Sequence, residues 1–133
     1  MAHVVVVDDV AVVSTAISIM LTRAGHTVET AASGREALSI VVRRAPDAVI
    51  TDLWMPDLDG LGLIRALQAD FPDVAIVAMS GGSRRYSGKS SLDHALESGV
   101  RELLMKPFGT ADLLKSIANA LDGRSIAKAM QNV

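Results

Sequence analysis

Short runs of adjacent apolar residues alternate along the chain with longer stretches in which apolar residues recur every three or four positions. The runs His3 to Val7, Thr27 to Ala31, Ala48 to Thr51, Ala75 to Met79 and Glu102 to Met105 predict strands, four of them rich in valine or isoleucine. The stretches between them carry helical spacing: Val13, Ile17, Met20 and Leu21; Leu38 with Val41 and Val42; Leu63, Ile64 and Leu67; and Leu113, Leu114, Ile117 and Leu121. Helix starts are marked by Ser33 with Glu36, which fits a capping box, and by Asp59 and Thr110 as N-caps. Gly25 and Gly99 suit helix C-caps. Five β-α units follow, an alternation that favours a parallel sheet with helices on both faces. The expected fold is α/β, flavodoxin-like, a doubly wound five-stranded parallel sheet with five helices.

Composition narrows the picture. At 133 residues the chain is the size of one domain. Half of the residues are hydrophobic, only 3% are aromatic, and the mean hydropathy is +0.34, which points to a compact aliphatic core. A net charge of -2 supplies no general attraction for nucleic acid or an anionic membrane. Without cysteine there is no disulfide framework and no thiolate metal site. The apolar run at Val4 to Val7 stops at two aspartates, too short for a signal peptide or a membrane span, so a soluble cytoplasmic protein is expected.

In an open parallel sheet, ligands bind beyond the carboxyl ends of the strands. The first predicted strand ends at Asp8 and Asp9, the third at Asp52, the fourth at Ser80 and the fifth at Lys106. Each residue alone reads as an ordinary turn, cap or surface charge. Together they place three carboxylates, a hydroxyl and an ammonium on one edge. Three crowded carboxylates must raise a pKa or recruit a cation. Mg2+ suits a site of hard oxygen ligands with no histidine or cysteine. A carboxylate nucleophile, a divalent cation, a lysine and a hydroxyl donor make a site for phosphoryl transfer.

VVVVDD (Val4 to Asp9), ITDLWMPDLDG (Ile50 to Gly60), AMSGG (Ala78 to Gly82) and LMKPF (Leu104 to Phe108), in this order, resemble the receiver domain of bacterial two-component response regulators of the stand-alone type. The match runs from His3 to Leu121. The resemblance implies that Asp52 is the phospho-acceptor and that Asp9 and Asp52 ligate Mg2+ directly. Asp8 would act through a bound water, and Trp54 through its backbone carbonyl. It also implies that Ser80 is the switch hydroxyl and that Lys106 pairs with the phosphate and, at rest, with Asp52. A cis bond is expected at Lys106-Pro107. The donor would be a phosphohistidine on a sensor histidine kinase or a histidine phosphotransfer protein. Catalysis would be confined to self-phosphorylation and self-dephosphorylation on Asp52. Residues 1–122 would form the receiver and 123–133 a helix extension or tail. With no output domain after it, the effect would reach a downstream protein target by binding, or the phosphoryl group would be relayed onward.

Two features depart from the family pattern. Leu103 stands where the family usually carries an aromatic residue, three positions before the lysine, so the usual flat reporter of the pocket is missing. The segment between Ser80 and Lys106 is longer than usual and includes Arg84, Arg85, Tyr86 and Lys89. This basic loop reads first as a solvated loop and second as a contact for an acidic partner; its footprint is small for nucleic acid. Ser83 to Ser90 also misses the phosphate-binding G-x-x-x-x-G-K-S pattern by one residue, which raises a nucleotide-binding alternative. A non-phosphorylated interaction module is the other alternative, although all five pocket residues are intact. Trp54 either borders the pocket entrance or packs over the adjoining loop.

Overall fold

Four consecutive valines cannot form one face of a helix without stranding half of them, but in a strand covered on both sides all four are buried. The computed structural model shows this arrangement in β1 (His3–Val7), whose residues are all buried. It describes residues 1–55, 60–81, 85–86, 89–90, 99–100 and 102–131, the side chains of 85–86, 89–90 and 124–131 excepted. The remaining elements, in chain order, are α1 (Ala11–Arg23), β2 (Thr27–Ala31), α2 (Gly34–Arg43), β3 (Ala48–Asp52), α3 (Gly60–Asp70), β4 (Ala75–Ser80), β5 (Arg85–Tyr86), β6 (Lys89–Ser90), β7 (Glu102–Met105) and α4 (Thr110–Gln131).

The main sheet has five parallel strands in the order β2-β1-β3-β4-β7. Alternating side chains divide the core. Val4 and Val6 face α1 and α4 through Ile17, Leu21, Leu113 and Ile117, whereas Val5 and Val7 face α2 and α3 through Ile40, Val41, Leu63 and Leu67. The sheet is therefore doubly wound, as the alternation predicts. Both β1 neighbours diverge from it in chain order, so the switch point lies between β1 and β3. The fifth helix expected from the sequence, ahead of β7, and the Asp59 cap lie outside the described residues. No helix among the described residues is long and apolar enough to cross a membrane.

Local signals explain the boundaries. Ser33 accepts from the Glu36 backbone N–H at 3.2 Å, and Glu36 reaches back to the Ala32 N–H at 3.0 Å, one residue earlier than in the usual box. After α1, His26 N–H bonds to Leu21 and Gly25 N–H to Thr22, with Gly25 at φ +95°. This is a Schellman ending, and the positive φ requires glycine. On α2 the expected apolar face shifts. Val42 is exposed, because Ala37 and Val41, one turn apart, face the sheet and turn Val42 about 100° away.

Candidate functional site

Strand register delivers the polar residues to one edge. Asp52 is the last residue of β3 and pairs with Met79, while Ser80, next on β4, pairs with Met105 beside Lys106. Asp8 and Asp9 follow β1 directly. One oxygen from each of Asp8, Asp9 and Asp52 lies within 4.8 Å of the others. Asp8 is 1% exposed and Asp52 9%, whereas Asp9 opens to solvent.

Lys106 closes the cluster. Its Nζ donates to Asp8 Oδ2 at 2.8 Å and to Asp52 Oδ2 at 3.3 Å. The sequence-based expectation paired Lys106 at rest with Asp52; here the shorter bond goes to Asp8. Asp8 Oδ1 accepts from the Val10 N–H at 2.9 Å, and Asp52 Oδ1 from the Trp54 N–H at 3.3 Å. Ser80 is fully buried, and its carbonyl accepts from the Lys106 N–H at 2.7 Å. The Lys106-Pro107 bond is cis.

The electrostatics are unbalanced. Burial raises the Asp52 pKa above its ordinary value, and the nearby Asp8 charge adds to that. The Lys106 charge and the Trp54 N–H oppose the shift without cancelling it. For Lys106, burial alone would lower the pKa, but the Asp8 hydrogen bond and the two carboxylate charges together raise it. Among the described residues one ammonium thus serves the cluster, bonded to two of its three carboxylates, and negative charge remains in excess there. Hard oxygens, one of them open to solvent, fit a Mg2+ ion that keeps several waters. Asp9 and Asp52, with Asp8 behind, are the residues that would hold it.

Two neighbours refine the sequence reading. Trp54 is half-buried against the apolar cluster of Leu53, Leu61, Ile64, Ala78 and Val100, and Leu103 packs on the same cluster. The Trp54 side chain thus packs on this cluster while its N–H reaches Asp52. Beside Lys106, a largely apolar cleft of about 500 Å3 runs between Val12, Val13, Ile17 and Met20 of α1 and the Pro107-Phe108 segment. Sequence reasoning missed it, since Val13, Ile17 and Met20 read as one helix face and nothing local indicates that Phe108 stands opposite.

In the basic loop, Arg85–Tyr86 pairs antiparallel with Lys89–Ser90. A phosphate-binding loop of the G-K-S kind must open a helix at its lysine, and Lys89 here lies in a strand. The rest of that pattern, with Arg84, lies outside the described residues.

A family model described as the response regulator receiver domain matches residues 4–118. The "Probable transcriptional regulator ycf27" of Porphyridium aerugineum is 36% identical over 131 residues, covering 97% of this chain and 51% of that protein. "Response regulator MprA" of Mycolicibacterium vanbaalenii is 37% identical over 115 residues, covering 84% and 47%. The chain thus spans about half the length of these curated relatives. Among solved structures, a response regulator receiver domain protein from Clostridium thermocellum superposes with a TM-score of 0.83 at 30% identity, covering 96% of this chain and 99% of that one.

Proposed function

Because the chain belongs to the response regulator receiver domain family, we propose that it is a phosphorylation-dependent signalling switch whose acceptor is Asp52. The observation that carries this reading is the shared Lys106 ammonium, held between Asp8 and Asp52 at 2.8 and 3.3 Å in a cluster of three carboxylates.

An Asp52 carboxylate oxygen attacks the phosphorus of a phosphohistidine on a sensor kinase or phosphotransfer protein. The P–N bond breaks, its electron pair leaves on the donor imidazole, and an aspartyl phosphate forms. A bound Mg2+ would supply charge neutralisation to the phosphoryl oxygens. Lys106, bonded to Asp8, would bind one of those oxygens as it leaves Asp52. Ser80, at the end of β4, would donate its hydroxyl to another. Movement of Ser80 and of β7 and α4 would then alter the face offered to a downstream protein. The donor has to cover the pocket rim. On the α1 side that rim is uncharged, since no charged residue occurs from Val10 to Thr22, and it continues into the apolar cleft by Phe108.

Intact mass after incubation with Mg2+ and a small acyl phosphate tests the reading. A gain of one phosphoryl group is expected, absent in Asp52→Asn. No gain, with a histidine kinase donor tried as well, would sink it.

A further inference from the structure

The β-carbon that Gly60 lacks would occupy the place of the Asp52 backbone. Built on Gly60, it overlaps the Asp52 carbonyl oxygen and lies 2.7 Å from Leu53 Cα and 2.8 Å from the Asp52 carbonyl carbon. All three are backbone atoms, which cannot swing aside. By contrast, a β-carbon at Gly81, Gly109 or Gly123 would meet nothing within 4 Å. The first turn of α3 therefore rests directly on the peptide that follows the acceptor. A hydrogen bond from the Gly60 N–H to the Leu53 carbonyl, 3.2 Å, ties the two together.

We infer that Gly60 is a positioning residue for phosphoryl acceptance: its bare α-carbon lets α3 clamp the Asp52-Leu53 peptide and so sets where the acceptor carboxylate stands. This inference rests on the role proposed for Asp52. The peptide is held on its other sides as well. Leu53 N–H bonds to Met79 at 3.1 Å, the Thr51 hydroxyl donates to the Asp52 carbonyl at 2.9 Å, and the Leu53 side chain is fully buried among Leu61, Ile64, Ala78 and Val100. An added methyl thus leaves two outcomes, displacement of the peptide or of the α3 start, and each moves the ground beneath Asp52. The carboxylate tolerates little of this. Its bonds from Trp54 N–H and Lys106 Nζ are both 3.3 Å, at the long end of hydrogen-bonding range, so a further few tenths of an ångström parts them. A misplacement of about 1 Å at a reacting group can cost about 100-fold in rate.

Gly60→Ala tests this beside two controls, at a temperature where far-UV circular dichroism shows each protein folded. Leu67→Ala removes a buried side chain from α3, about two turns beyond Gly60 and in a different cluster from Leu53, and reports what lost stability alone does. Gly123→Ala adds a methyl to α4 in open space. Acyl phosphate-driven mass gain gives the rate, and Mg2+ titration of Trp54 fluorescence gives the metal midpoint. Gly60→Ala is expected to slow phosphorylation about 100-fold and to raise the Mg2+ midpoint about tenfold. Leu67→Ala and Gly123→Ala are expected to stay within about twofold in both. Rates and midpoints for Gly60→Ala close to wild type overturn the inference, as does an equal loss in Leu67→Ala. Failure of Gly60→Ala to fold also overturns it, by assigning the glycine to folding instead. A wild-type protein that neither gains mass nor responds to Mg2+ overturns the proposed role of Asp52 itself, a result distinct from a defect confined to Gly60→Ala.

Discussion

The two ends of β1 carry buried polar residues of opposite character. At the start, His3 is 8% exposed and every polar atom has a partner. Its N–H donates to Asp47 Oδ2 at 2.8 Å and its carbonyl accepts from the Asp47 N–H at 2.8 Å. Its ring bonds Thr27 Oγ1 at 2.8 Å and Glu29 Oε1 at 3.0 Å. Donors and acceptors there match one for one. Five residues later the chain delivers Asp8 and Asp9 to a third carboxylate, with one ammonium among the described residues there. The first end is arranged for stability. The second leaves charge unbalanced, a condition that persists where a ligand is meant to complete it.

Exchanging these roles by mutation would break the comparison. The largest effect is expected from Asp52→Asn, which removes the nucleophile and should abolish phosphoryl acceptance, a loss of at least about 1000-fold by intact mass, while slightly raising the unfolding midpoint because a desolvated charge disappears. Next, Mg2+ at about 100 times its dissociation constant should stabilise the wild-type protein by about 2.7 kcal/mol in thermal or urea unfolding, and Asp52→Asn by clearly less. An equal gain in both would place the metal elsewhere. His3→Ala should then cost about 1–3 kcal/mol of stability through orphaned partners and leave the phosphorylation rate unchanged. If the rate falls in step, the two ends are coupled and the contrast dissolves.

The smallest effect concerns pH, read in metal-free buffer. The folded pKa of Asp52 lies above its unfolded value of 3.8, so over the interval just above 3.8 the folded protein holds a proton that the unfolded chain has lost. The stability from this group is present below 3.8 and is lost as pH rises through the folded pKa. Asp52→Asn lacks this component, so its advantage over wild type should grow with pH across that interval and then level off. For Lys106 the raised folded pKa gives stability that is present below 10.5 and lost as pH rises through the folded value. Unfolding curves of both proteins across the two ranges check each sign.

Most of the fold is written in patterns that depend on neighbours in sequence. The valines of β1 and the Ser33-Glu36 cap needed no distant partner to be recognised, and Gly25 needed only the end of α1. Membership of the site was legible for a related reason, since Asp8, Asp52, Ser80 and Lys106 each stand at a strand end. What could not be read were distances across the sheet. Nothing local says that Lys106 comes nearer to Asp8 than to Asp52, that Trp54 packs on the cluster containing Ile64, Ala78 and Val100, or that Phe108 faces α1. Val42 was misplaced because three adjacent apolar residues, Ile40 to Val42, leave the helical phase open until the sheet selects Ile40 and Val41.

The bond between Lys106 and Asp8 joins residues 98 apart in sequence. During synthesis the aspartates emerge early, and the acceptor follows long before the lysine. Until β7 has left the ribosome and taken its place as the last strand of the sheet, the ammonium is missing and the acidic edge is held by the Val10 and Trp54 N–H groups. An unfinished or truncated chain can therefore carry all three carboxylates and still lack the cation that ties Asp8 to Asp52. Only the completed sheet joins the ends of its first and last strands in one knot of charge.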